Sequence, residues 1–160
     1  MSQDDSQAKS MPQMPQNSVS AAKETFIPTM RELVRAYQAF ADCSAKHLRT
    51  LNLTPSQFDV IATLGNTEGM NMTEIATKTL VTKGTLTGII DRLEKKGLVQ
   101  RVVPPDNRRS FIIVLTPEGE SEFERVFPAH IAYLKEKFDR LSTQELEQIR
   151  KGLQALRKLF

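Results

Sequence analysis

The residues best equipped for chemistry stand in two short stretches, Thr82-Lys83-Gly84-Thr85-Leu86-Thr87-Gly88 and Asp106-Asn107-Arg108-Arg109. Threonine hydroxyls bond either phosphate oxygens or base edges. Lysine reaches a phosphate or the acceptors of guanine, and arginine offers a planar fork of donors to the same groups. Between Val81 and Ile112 the bases Lys83, Arg92, Lys95, Lys96, Arg101, Arg108 and Arg109 stand against only Asp91, Glu94 and Asp106. The segment therefore carries +4 in a chain whose total is +3. Such a bias fits a solvated face or a phosphate-binding surface. Gly84 and Gly88 sharpen the choice, because each glycine costs an exposed helix roughly 1 kcal/mol relative to alanine. Close approach of backbone to a nucleic acid or to a neighbouring helix would offset that cost.

Other chemistry is sparse. His47 and His130 have no partners at metal-ligand spacing, no glycine-rich phosphate loop is present, and no Ser/His/Asp grouping stands out. The sequence thus points away from an enzyme, and to no cofactor and no metal. Cys43 is the single cysteine, so an intramolecular disulfide is impossible. It sits beside Asp42 without an adjacent base, which favours an inert buried thiol over a reactive one. The longest apolar run, 111–115, is far short of the roughly 20 residues that span a bilayer. The N-terminus is acidic and Gln-rich, with no basic-then-apolar leader, so a soluble cytoplasmic protein is expected.

The elements that must position these residues are legible. Residues 1–22 are Gln, Ser and Pro rich and read as a disordered arm. From 25 to 48, Leu33, Val34, Tyr37, Phe40 and Ala41 share a face of a long amphipathic helix. Capping-box spacing at Thr54-Pro55-Ser56-Gln57, Asn71-Met72-Thr73-Glu74 and Ser142-Thr143-Gln144-Glu145 predicts helices near 55–65, 72–79 and 143–159, and Thr116-Pro117 opens another. Leu86, Ile89, Ile90 and Leu93 recur at i, i+3, i+4 and i+7, so 83–96 is a helix that ends at Gly97. It follows the 72–79 helix after about three residues, which makes a helix-turn-helix. Residues 98–103 and 110–115 are rich in β-branched side chains and flank a basic, turn-forming tip, as in a hairpin. Pro128 falls inside the helix from 117 to 138 and should kink it. Leu146, Ile149, Leu153, Leu156 and Phe160 form a seam suited to packing against another helix, favouring a dimer.

The ordered set of Lys83 to Arg101, the tip Asp106-Asn107-Arg108-Arg109 and Val114-Leu115-Thr116-Pro117-Glu118-Gly119 resembles the MarR (multiple antibiotic resistance regulator) family of bacterial transcription factors. The similarity extends over roughly 25–160 in element order. It implies a mainly α fold: a winged helix-turn-helix at 54–116 with a two-stranded β-hairpin wing, and an all-helical dimerisation region from 23–53 and 117–160. It also implies a homodimer on a pseudo-palindromic operator in double-stranded DNA, most simply as a repressor. Thr82, Lys83, Thr85 and Thr87 would lie at the major groove and Arg108 in a minor groove, Asp106 would hold the wing, Arg109 would share a phosphate or scaffold role, and Gly84, Gly88 and Arg92 complete the candidate DNA-binding set. Phe26, Ile27, Leu146, Ile149, Leu153, Leu156 and Phe160 would form the dimer interface.

Family members are often released from DNA by small phenolic or other aromatic molecules, or by cysteine oxidation. For the former, Phe40, Cys43, His47 and Phe58 are the candidate lining of a pocket; for the latter, Cys43 is the only candidate. A protein-interaction scaffold that uses the same fold without reading DNA is the alternative from a different class. It would have no use for a basic wing tip beside exposed threonines.

Overall fold

The computed structural model describes Met14 and residues 17–79, 81–104 and 111–160, apart from the side chain of Lys83. In order, the elements are α1 (Ser18–Ala21), α2 (Ile27–Thr50), α3 (Pro55–Leu64), α4 (Met72–Lys78), α5 (Lys83–Lys95), β1 (Val99–Val102), β2 (Ile112–Leu115), α6 (Pro117–Phe138) and α7 (Thr143–Arg157). The fold is mainly helical with one antiparallel two-stranded sheet. The chain divides within α2 into two units, Met1–Phe40 and Ala41–Phe160.

In the first unit, α1 is a single turn capped by Asn17, inside the stretch expected to be an arm; most of that stretch, including residues 1–13, lies outside the described residues. Phe26, just before α2, is exposed, as are Met30, Leu33, Val34, Tyr37 and Phe40 in the N-terminal part of that helix.

The second unit holds the core. All three expected capping boxes form, at Thr54, Asn71 and Ser142, each with the reciprocal bond from the third helical residue. Thr116 caps α6 by accepting from Gly119 N–H at 3.0 Å. These local bonds set where α3, α4, α6 and α7 start, and apolar burial then fixes their faces. Val60, Ile61 and Leu64 of α3, Ile75 of α4, Leu86, Ile90 and Leu93 of α5, Val99 of β1, Ile113 of β2 and Val126 of α6 meet in one cluster with almost no exposure. Completely burying a side chain of this size stabilises the fold by about 1.5–3 kcal/mol.

Register in the hairpin pairs Val99 with Leu115 and Val102 with Ile112. A third short strand segment joins it: Met70 N–H donates to Ile113 O at 3.0 Å and Ile113 N–H to Met70 O at 2.8 Å. Gly69, at φ +102°, turns the chain into this bridge, and a Cβ there would sit 2.7 Å from Ile113 O. Gly119 allows another close approach, since its missing Cβ would fall 1.9 Å from the Leu98 carbonyl oxygen. The start of α6 is thereby seated on the turn that leaves α5. α6 continues as one helix through Pro128.

Candidate nucleic-acid interface

Thr82 holds extended backbone (φ −69°, ψ 149°) immediately before α5. Leu86, Ile89, Ile90 and Leu93 are at most 4% exposed, so the apolar stripe is seated in the core and the opposite face is turned outward. Gly84, Thr85 and Thr87 lie on that outer face and are exposed. Among the described residues, a Cβ added at Gly84 would meet nothing within 4 Å, and one at Gly88 would meet only Arg92 Nη2 at 3.4 Å. Packing among those residues therefore requires neither glycine. The side chain of Arg92 folds along the helix, donating from Nε to Gly88 O at 2.8 Å. Thr82 makes no side-chain cap; its hydroxyl instead pairs with that of Thr85 at 3.1 Å. Two adjoining hydroxyls thus stand at the exposed entrance of α5. Lys83 is the first residue of the helix, with its side chain outside the described residues.

The turn between α4 and α5 is held by Thr79, whose hydroxyl donates to Ile75 O at 2.8 Å and accepts from Val81 N–H at 3.4 Å. Behind α5, Arg101 of β1 reaches across to Asp91 at 2.5 Å and also bonds Glu94. Its guanidinium lies 5.7 Å from the centroid of Phe111, beside β2. One side chain thereby links both strand regions of the hairpin to α5. A hollow of about 230 Å³ opens between Met72, Leu86, Thr87, Arg101 and Phe111. Lys96 is also used within the fold, donating to Asn52 O at 3.0 Å. The positive segment is consequently less free than its charge suggests, because Arg101 is matched by two carboxylates. Asp106, Arg108 and Arg109 at the tip lie outside the described residues.

The candidate pocket residues divide. Cys43, His47 and Phe58 belong to the second unit, where His47 and Phe58 contact His130 of α6 and Cys43 contacts Tyr133 of the same helix. His130 is 2% exposed. Its Nδ1 lies 2.9 Å from Nδ1 of His47 and its Nε2 lies 3.0 Å from the Ser44 hydroxyl. Phe58 packs edge-on against it at 4.8 Å, and Tyr133 stacks on His47 at 4.1 Å with nearly parallel planes. Cys43 Sγ is 3.4 Å from the Tyr133 hydroxyl. Burial, then the neighbouring His47, lowers the pKa of His130 below its ordinary value. The hydrogen bond to Cys43 is the chief cause that raises that of Tyr133. Phe40 falls in the other unit. Among the described residues no group of three potential metal ligands assembles.

Comparison with known proteins supplies the deciding observation. Residues 53–111, from before α3 to the start of β2, match the sequence pattern of the MarR family. The HTH-type transcriptional regulator MhqR of Bacillus subtilis (strain 168) is 32% identical over 115 residues, covering 72% of this chain and 79% of MhqR. The chain belongs to the MarR family. The crystal structure of the MarR-family regulator AbsC from Streptomyces coelicolor is similar at TM-score 0.76 and 28% identity, covering 84% of this chain and 93% of AbsC. A structure of Bordetella bronchiseptica BpsR, described as a mechanism for regulation of its DNA binding by 6-hydroxynicotinic acid, shares the fold. It has TM-score 0.72 and 24% identity, covering 85% of this chain and 94% of that one. MarR-family proteins are DNA-binding transcription regulators, not enzymes. In MarR terms α4 and α5 are the helix-turn-helix and β1–β2 the wing.

This MarR-family chain also leaves apolar side chains uncovered on α7. The helix buries none of its residues: Ile149 is 48% and Leu153 51% exposed, Phe160 beyond its end is fully exposed, and Leu146 and Leu156 are half-buried. In the other unit Phe26 is exposed and Ile27 half-buried. Among the described residues no helix is long and apolar enough to cross a membrane.

Proposed function

We infer that the protein is a homodimeric transcriptional regulator that binds a pseudo-palindromic operator in double-stranded DNA with α5 in the major groove. The observation that carries this reading is the outer face of α5. Thr85 and Thr87 are exposed beside a glycine whose surroundings are open, so the helix accepts a propensity cost with no internal return. A partner approaching the backbone from outside supplies the return. Thr82, Lys83, Gly88 and Arg92 complete this contact face, while Arg108 enters the minor groove beside it, with Asp106 and Arg109 supporting the wing. With few long polar side chains on α5, direct readout is modest. Phosphate contacts and groove shape then carry much of the affinity and part of the specificity.

The exposed apolar residues of α7, together with those around Phe26 and Ile27, support dimerisation, because patches of this kind on soluble chains mark interfaces. A dimer covering an operator acts most simply as a repressor, working in the cytoplasm where the DNA is. BpsR, whose DNA binding is regulated by an aromatic acid, supports a small aromatic effector here. Cys43, His47 and Phe58, which fall in one unit, are the residues proposed to sense it. Selection of bound sequences from random DNA, followed by release assays with aromatic carboxylates, tests both parts. A pool that acquires no common sequence would refute operator binding, and undiminished binding with every carboxylate tried would refute that class of effector.

A further inference from the structure

We propose that His47 and His130 form a one-proton latch between α2 and α6, in which the gap between their Nδ1 atoms admits a second proton only by parting the two helices, so that acid weakens DNA binding. The argument starts from the 2.9 Å between the two Nδ1 atoms. At that distance one nitrogen donates and the other accepts, so the pair holds one proton between them. The half-buried His47 can take up a further proton on Nε2 while its Nδ1–H still donates to His130. His130 has no such freedom. Its Nε2 is committed to the Ser44 hydroxyl and its ring is buried against Phe58. If it is protonated as well, two N–H groups and two positive charges point at each other across the same gap.

Three helices supply the neighbours of the pair. From α2, His130 is faced by Ser44 and His47, with Cys43 nearby on Tyr133. From α3 it meets Phe58, whose neighbour Asp59 is the nearest acidic residue in that sequence and is half-buried. On α6 itself, Tyr133 stacks on His47 and carries the Lys137 ammonium 5.0 Å over its ring, while Glu136 acts on the Tyr133 hydroxyl. Burial and the proximity of His47 both hold His130 neutral at ordinary pH. Opening the latch moves the ring against which Phe58 packs. Phe58 belongs to the same helix as Val60, Ile61 and Leu64, which form the core beneath α4 and α5. The latch is thus mechanically connected to the helix-turn-helix through α3.

This proposal rests on the DNA-binding reading only for its functional readout, so the test has two arms on the full-length protein. The first follows both imidazole rings by NMR without DNA. His130 is expected to titrate below the ordinary histidine value, with loss of the Nδ1 hydrogen bond and shifts in α3 resonances at the same step. Titration of His130 near 6.5 with no change in α3 would overturn the latch. The second arm measures affinity for a selected duplex between about pH 7.5 and 5. His47→Gln supplies an amide oxygen that can accept from a protonated His130, and His130→Gln removes the buried titration. The wild type should lose at least about tenfold more affinity across this range than either variant. Equal losses in wild type and His47→Gln would contradict the proposal even if His130→Gln fails to fold. Should the protein bind no specific duplex at any pH, the NMR arm still decides the latch by itself.

Discussion

At the scale of single residues, Gly84 separates stability from binding. Its Cβ direction is open, so Gly84→Ala should raise helix stability by up to about 1 kcal/mol while lowering operator affinity about tenfold. Chemical denaturation and a binding titration on the same preparation check both signs; lowered stability would mean that the glycine serves packing. Gly119 behaves in the opposite way. A methyl there collides with the Leu98 carbonyl, so Gly119→Ala should cost about 2–4 kcal/mol, read as a lower denaturation midpoint. His130 makes stability depend on pH with a definite sign. Its folded pKa is lowered, so between the ordinary value of 6.5 and that lower value the unfolded chain binds more protons than the native one. The contribution is fully present above 6.5 and is lost as pH falls through this window. The denaturation midpoint of the wild type should therefore drop more steeply below 6.5 than that of His130→Gln.

At the scale of elements, Arg101 joins the hairpin to α5. Removing it unpairs Asp91 and Glu94, which are partly exposed and so solvent-screened; Arg101→Ala should cost only about 1 kcal/mol of stability. The larger consequence is electrostatic, because two uncompensated carboxylates are left on the helix proposed to face phosphates. Adding Asp91→Asn and Glu94→Gln should restore much of the lost operator affinity. A triple variant that binds as weakly as Arg101→Ala would instead make Arg101 a direct DNA contact. The elements were largely readable in the chain because their signals are local. Capping boxes at Thr54, Asn71 and Ser142 act over three residues, and the stripe from Leu86 to Leu93 lies within two turns. The His47–His130 pair was not readable, since 83 residues separate its members and no periodicity links them. The Met70–Ile113 bridge escaped for the same reason, with only Gly69 to hint at close backbone approach.

At the scale of the whole molecule, the account requires two chains on one operator. The exposed side chains of Ile149 and Leu153 support a dimer, and Leu153→Glu, which adds charge to that face, should shift sedimentation from dimer towards monomer at micromolar concentration. Two α5 helices bound on one face of the duplex should protect half-sites about one helical turn apart, roughly 34–36 Å. The most direct measurement of the central claim is the dissociation constant for a duplex recovered by selection, set against a scrambled duplex at the same salt concentration. The account predicts at least about 10³-fold preference for the selected sequence. Equal affinity for the two duplexes would contradict it.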